Sequence, residues 1–224
     1  MPSKLPLRTK PAGPEADNAP PHLRRDAEEN RQRVLNAATE VFAEHGLEAP
    51  VEEIASAAGV GMGTLYRRFP NKEALIQQLV RDVFTHLTDG ARDALELTDG
   101  SGLEMFLWHC GALQERSRGC LSRIWKSESQ ASYAVELDAI LGQLLQRAQG
   151  AGRIRPDCTT TDLSVIVWAM RGIIETGGES ARHAWERHLE IALAGLRPDA
   201  AALTRPPITR EQRTRAGVRP RSDS

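Results

Sequence analysis

The sequence predicts an all-α chain, and three observations predict it. Six of its thirteen prolines fall in Met1–Pro21 and four in Pro198–Ser224, leaving only Pro50, Pro70 and Pro156 between. Proline removes an N–H and clashes with the preceding helical turn, so the proline-poor interior is free to be helical and the ends are not. Apolar residues recur at helical spacing from Asp26 onward, and glycines and capping residues punctuate that pattern at intervals of a helix length. No strand pattern is evident. About nine helices are expected in two units, a compact one over 26–87 and a larger one over 88–197. The flanking tails, 1–25 and 198–224, are rich in Pro, Gly, Ser, Arg and Thr and are expected to be disordered.

The first unit follows from local rules. Val34, Ala38, Val41, Phe42 and His45 share one helical face, and Gly46 supplies a stop. Pro50 then opens a short helix, Val51 to Ala58, with Ile54, Ala55 and Ala58 on one side and Glu52 and Glu53 in its first turn. Gly59 can turn left-handed, with Val60 tucked beneath. A third helix, about Met62 to Phe69, buries Leu65 and Phe69. Asn71 is a good N-cap for a fourth, whose Leu75, Ile76, Leu79, Val80, Val83 and Leu87 form a long stripe.

The second unit stays helical. Asp99-Gly100-Ser101-Gly102 reads as a loop before a helix with Leu103, Phe106, Leu107, Cys110 and Leu113 in a stripe, ended or bent by Gly119. Leu121 to Ser129 and Val135 to Gln149 follow, and Arg155-Pro156 blocks continuation. Thr159 and Asp162 have capping-box spacing before an apolar helix of about Leu163–Ile174. The last helix, about Glu179–Leu196, has Trp185, Leu189, Ala192 and Leu196 on one face.

Composition bounds the function. With 224 residues, 24.6 kDa, 40% hydrophobic and 26% charged residues, the chain has ample material for a core. Its longest apolar run, Val165 to Met170, is six residues, far short of the ~20 that span a bilayer. No secretory signal is expected, and a cytoplasmic location is the simplest reading. Three scattered cysteines suit neither a disulfide framework nor a thiolate metal cage. His183 and His188 are five apart and so face different ways, which argues against a helical metal site. With no phosphate loop and no nucleophile motif, no enzyme, metal or cofactor is expected. Met1–Arg25 and Arg197–Ser224 carry net charges of +3 and +4 against −8 for the residues between. The overall pI of about 6.6 lacks the footprint above ~9 that marks nucleic-acid binders.

The motif speaks where composition does not. The second and third helices, joined by a short glycine-containing turn, fit a helix-turn-helix at about 50–69; an ordinary αα-hairpin fits the spacing equally well. The residues decide between them. Ile54-Ala55, then Ala58-Gly59-Val60, then Gly63-Thr64-Leu65-Tyr66 with Phe69 three residues on, and Lys72 opening the next helix, resemble the DNA-binding domain of TetR-family transcriptional regulators over about residues 28–87. Upstream, Ala37-Ala38, Val41-Phe42 and Gly46 fit as well.

That resemblance implies a set of DNA-binding residues: Gly61, Met62, Gly63, Thr64, Tyr66, Arg67, Arg68 and Lys72. Thr64, Tyr66 and Lys72 stand where the family makes phosphate contacts, which fix register. Arg67 or Arg68 has the donors for a guanine edge. Gly63 lets backbone approach phosphate, whereas Met62 can equally be a packing residue. Gly61 stands where the family often has a capping serine, and Ala49-Pro50 where it often has hydroxyl residues, so single phosphate contacts are in doubt there.

The resemblance also implies a homodimer on a palindromic double-stranded operator, released by a small-molecule effector in the commoner, repressing mode. The residues read for the effector pocket are Met105, Trp108, His109, Trp125, Trp168 and Arg171, with ordinary core as the competing reading. For Arg171 an ion pair with Glu175 or across the dimer competes. The residues read for the dimer interface are Ile166, Met170, Ile173, Trp185, Leu189 and Leu196. Two other classes remain open at this point: a non-enzymatic protein-interaction module, and a non-specific DNA-binding protein that relies on its basic tails.

Overall fold

The computed structural model describes residues 21–124 and 130–213. Among them are nine α-helices: α1 (Pro21–His45), α2 (Val51–Ala58), α3 (Met62–Arg68), α4 (Lys72–Leu95), α5 (Gly102–Arg116), α6 (Leu121–Ile124), α7 (Gln130–Gly150), α8 (Thr160–Thr176) and α9 (Ala181–Gly195). Two 3-10 turns, Arg118–Cys120 and Gly178–Ser180, precede α6 and α9. The described residues contain no strand.

The local signals set most boundaries. Gly59 takes the left-handed conformation at φ 64°, and its neighbour Val60 donates to the Ala55 carbonyl at 3.0 Å, which closes α2 and aims the chain into α3. The Asn71 side chain accepts from the Ala74 N–H at 2.8 Å and opens α4. Thr159 and Asp162 form a reciprocal capping box on α8.

Elsewhere the structure corrects the sequence reading. Helix α1 begins at Pro21 rather than Asp26, because proline suits the first helical turn, where its missing N–H has no partner to lose. His45 leaves the core face of α1 and meets Glu53 of α2, Nδ1 to Oε2 at 3.0 Å. Helix α7 starts at Gln130, before the expected Val135, and α8 runs Thr160–Thr176, longer at both ends than expected. Gly178–Ser180 forms a 3-10 turn, so α9 starts at Ala181 rather than Glu179. The helix expected over Leu121 to Ser129 is seen as α6, and 125–129 lie outside the described residues, as do 1–20 and 214–224.

Within the tail read as disordered, residues 198–213 form a strap against the body. The Arg155 side chain, 6% exposed, donates to the Ala201 carbonyl at 2.7 Å. Farther on, Arg213 donates to both oxygens of Asp138 on α7 and, at 3.3 Å, to Ser164 of α8; Arg210 reaches Asp138 at 2.7 Å. Thr209 and Gln212 cap a helical turn at 210–213 reciprocally. These partners are far apart in sequence, so composition alone does not reveal them.

One buried apolar cluster runs through both units, from Val34 in α1 to Leu196 past α9. Helix α4 is shared. Its first half packs Leu75, Ile76 and Leu79 in the N-terminal unit, and it continues unbroken past 87 to bury Ala91 and Ala94 in the larger one.

Candidate nucleic-acid interface

Helix α3 is anchored from one side and open on the other. Leu65 is 1% exposed and Phe69, its C-cap, is buried, so these two apolar residues clamp the helix onto the core. Gly61 caps the N-terminus through its carbonyl, which accepts from Thr64 and Leu65 N–H at 2.9 and 3.1 Å; no side chain caps it. The outward residues are Gly61, Gly63, Tyr66, Arg67 and Arg68, all exposed, with Thr64 half-exposed.

Their chemistry is polar and cationic. Arg67 Nη2 donates to Thr64 Oγ1 at 3.1 Å, one turn back, which sets the guanidinium along the helix. Arg68 and Tyr66 make no hydrogen bond or ion pair with any described residue, leaving their donors free. A Cβ added to Gly63 would meet nothing within 4 Å. Packing therefore does not demand glycine there. Met62 is partly buried against the core, the packing role the sequence allowed it. Lys72, half-buried in the first turn of α4, holds its ammonium 5.8 Å from the Phe42 ring centroid. Of the eight predicted residues, six are thus outward on α3 or at its N-cap, Lys72 is half-buried in the first turn of α4, and Met62 packs against the core.

Sequence reasoning missed the joint that carries this surface. The 3-10 turn after α5 lies on the C-terminal end of α1. Arg118 Nε donates to the Ala43 carbonyl at 3.0 Å, and Gly119 faces the Phe42 carbonyl too closely for any Cβ. From α6, Arg123 pairs with Glu73 in the first turn of α4. The signal was Gly119, read as a helix stop when its work is close approach.

The residues read for an effector pocket do not converge on one cavity. His109 Nε2 lies 3.1 Å from the His86 carbonyl, and its ring covers Gly90 of α4. Burial pushes its pKa below the usual histidine range, against a smaller opposing effect of that carbonyl. Met105, one turn earlier, is half-buried on the same side. Trp108 turns instead to α9 and meets Trp185 edge-on, with centroids 5.7 Å apart. Trp168 and Arg171 sit on α8, where Arg171 Nε pairs with Glu175 at 2.9 Å. Trp125 lies outside the described residues.

The dimer reading needs correction. Met170, Trp185, Leu189 and Leu196 are 0–7% exposed inside the single chain, because α8 and α9 turn these residues onto α5 and onto each other. Trp185 fills the slot left by Gly111, where a Cβ would stand 2.2 Å from its ring. Ile166 and Ile173 are half-buried in the same packing. The large apolar residues of these helices that do face outward are Val165 on α8, which shares its helix with half-buried Trp168 and exposed Gly172, and Ile191 on α9, at 42% and 59% exposed.

Comparison with known proteins agrees with this geometry. Residues 34–79 match the family described as bacterial regulatory proteins, tetR family. Residues 115–198 match a transcriptional regulator SbtR-like C-terminal domain. An HTH-type transcriptional regulator of Staphylococcus aureus (strain USA300), SAUSA300_2515, is 44% identical over 69 residues; the match spans 29% of this chain and 37% of that relative. Two solved structures extend the likeness to nearly their whole length. The TetR transcriptional regulator SCO0520 from Streptomyces coelicolor is 34% identical, with TM-score 0.57, covering 76% of this chain and 99% of that one. The TetR transcription regulatory protein from Mycobacterium vanbaalenii is 31% identical, with TM-score 0.60, covering 78% and 99%. With its exposed α3, its shared α4 and these relatives, the chain belongs to the TetR family of bacterial transcriptional regulators.

Proposed function

We propose that this regulator is a dimeric repressor that reads a palindromic operator with α3 and is released from it by a small-molecule effector bound in the C-terminal unit. The observation that carries the reading is α3 itself. Its apolar residues are spent on anchoring, and its remaining surface is two outward arginines, Arg67 braced on Thr64 and Arg68 without a partner among the described residues, two hydroxyls and an uncrowded glycine at the end of a helix-turn-helix. In such a dimer Arg67 or Arg68 contacts base edges, while Thr64, Tyr66 and Lys72 hold phosphates. The outward apolar strip of Val165, Trp168, Gly172 and Ile191 supplies the dimer face, pairing α8 and α9 with their copies. Two reading helices then stand about 34–36 Å apart, one DNA turn.

Release works through the joint between the units. An effector that shifts α5 or α6 moves Arg118, Gly119 and Arg123 together, and these press on the ends of α1 and α4. His109 and Met105 ride on α4 from α5, which makes that crevice the first place to look for the contact that starts the shift. A changed separation of the two reading helices costs operator contacts on one half-site or the other.

Selection from a random double-stranded DNA library at physiological salt tests the reading. Enrichment of a palindrome, with preference relaxed at one position of each half-site in Arg67→Ala while dimerisation and thermal stability persist, is the expected result. Binding that falls steeply with salt and enriches no sequence would instead make this a non-specific DNA-binding protein. A folded dimer with no DNA affinity, with or without small molecules, would make it a protein-interaction module.

A further inference from the structure

A histidine ties α5 to the backbone of α4. A neutral imidazole has one donor nitrogen and one acceptor nitrogen. His109 Nε2 lies 3.1 Å from the His86 carbonyl, which can only accept, so Nε2 carries the ring's N–H. Gly90 makes room for this contact, since a Cβ there would stand 2.6 Å from the His109 ring. Gly90 is buried, and both histidines are half-buried. Neither His109 Nδ1 nor the His86 ring has a hydrogen-bond partner among the described residues.

A further proton on either ring is therefore poorly received. On His109 it would sit on Nδ1, as a donor with no described acceptor. Among the described residues, the charged groups that bear on the two rings come from α4 and α5. Burial and then Arg116 push the His86 pKa below the usual histidine range, with His109 adding to the effect and Asp82 and Asp89 opposing it. His109 is lowered by burial and by Arg116, against the His86 carbonyl and Asp93. The opposing acids are partly engaged elsewhere: Asp89 pairs with Arg92 at 3.1 Å, and Asp82 accepts from Gln78 at 2.8 Å. Arg116 itself has no ion pair with any described residue. Protonating both histidines would thus set three cations across the seam between the two helices.

We propose that His86 and His109 form a proton-operated latch, which holds α4 on α5 while both rings are neutral and opens when both are charged. The contact is at full strength above the ordinary histidine value of 6.5 and is lost as pH falls from there through the lowered folded-state values. The latch is a property of the single chain; any effect on operator release rests on the function proposed above.

Hydrogen exchange of the full chain without DNA tests it, read as protection factors so that the pH dependence of chemical exchange drops out. Protection of the second half of α4 should fall between pH 7.5 and 5.5, by at most about tenfold for each histidine. The double variant His86→Gln/His109→Gln keeps a donor at each position and cannot titrate there. It should retain protection at pH 7.5 and lose the pH dependence. Circular dichroism melts identify any variant that has lost its fold. His86→Gln alone, at a ring with no described hydrogen bond, then keeps the test valid and should remove about half of the logarithmic change. Protection that does not vary with pH, native imidazole resonances that titrate near 6.5, or a pH dependence that survives in the folded variants would overturn the proposal. Opening of α4 that leaves operator affinity untouched at pH 5.5 would support the latch and count only against release through it.

Discussion

Gly119 lies on the Phe42 carbonyl so closely that a Cβ built on it would stand 2.0 Å from the oxygen and 2.6 Å from the Ala43 nitrogen. Both neighbours are backbone, so neither can swing away. Gly119→Ala must therefore push the C-terminal unit off the end of α1. Overpacking of this kind costs about 1–3 kcal/mol. A lowered midpoint in thermal denaturation is expected, together with weaker operator binding at temperatures where the variant is still folded. An unchanged midpoint would mean that the two units do not bear on each other here.

Gly63→Ala should separate stability from function. The added methyl enters open space, and glycine inside a helix costs about 0.5–1 kcal/mol relative to alanine. The variant is expected to melt higher and to bind its operator less tightly. Equal binding in a more stable protein would show that no phosphate approaches the backbone at this position.

Arg67→Ala and Lys72→Ala should fail differently. A base-reading arginine carries about 1–3 kcal/mol of discrimination, so Arg67→Ala should relax sequence preference at one position of each half-site. Lys72→Ala should weaken all sequences alike and reduce the slope of log affinity against log salt by about 1 per site. Fluorescence anisotropy across a salt series distinguishes the two. Its stability should also fall slightly, because the ammonium sits over the Phe42 ring.

The cysteines should be inert. Cys110, Cys120 and Cys158 are buried, and burial pushes each thiol from an ordinary value near 9 up to about 12. A thiol with a raised folded-state pKa keeps its proton preferentially in the folded chain. Its contribution to stability is fully present below about 9 and is lost as pH rises from there to about 12. Native protein at pH 7.5 is expected to react negligibly with a thiol reagent, and denatured protein to yield three equivalents. Rapid labelling of a native thiol would open a redox role that burial argues against.

Asp138 links the strap to α7, and the Arg213 and Arg210 guanidiniums hold its carboxyl below the usual carboxylate range. A depressed folded-state pKa contributes stability at pH above the unfolded value near 3.8, and that contribution disappears as pH falls through the folded one. Asp138→Asn should remove about 1 kcal/mol at neutral pH and nothing under strongly acid conditions. Hydrogen exchange should rise over 209–213. Exchange unaltered there would mean that the strap is held by Arg155 alone.

What the sequence makes legible follows from the range of each interaction. The left-handed turn at Gly59, the Asn71 cap and the Thr159–Asp162 box act within four residues, and the structure places them where those residues stand. The outward face of α3 was legible for the same reason, since α3 is seven residues clamped by its own Leu65 and its C-cap Phe69. The outward face of α8 and α9 was not. Helix α8 is apolar on nearly all sides, and for both helices the residues that turn inward depend on α5, which the local pattern does not contain. Trp185 and Leu189 therefore read as an interface and are core, while Val165 and Ile191 went unnamed. The Arg213–Asp138 and Arg123–Glu73 pairs join residues 75 and 50 apart and leave no local trace.

The unbroken run of α4 from Lys72 to Leu95 has a mechanical consequence. Twenty-four helical residues form a rod about 36 Å long. If one end is pinned in the C-terminal unit, a tilt of only about 5° carries the other end through about 3 Å, close to the ~3.4 Å rise of one base pair along each strand. A small angular strain at one end is thus converted into a full step of misregistry at the other, and in a symmetric pair the two errors add.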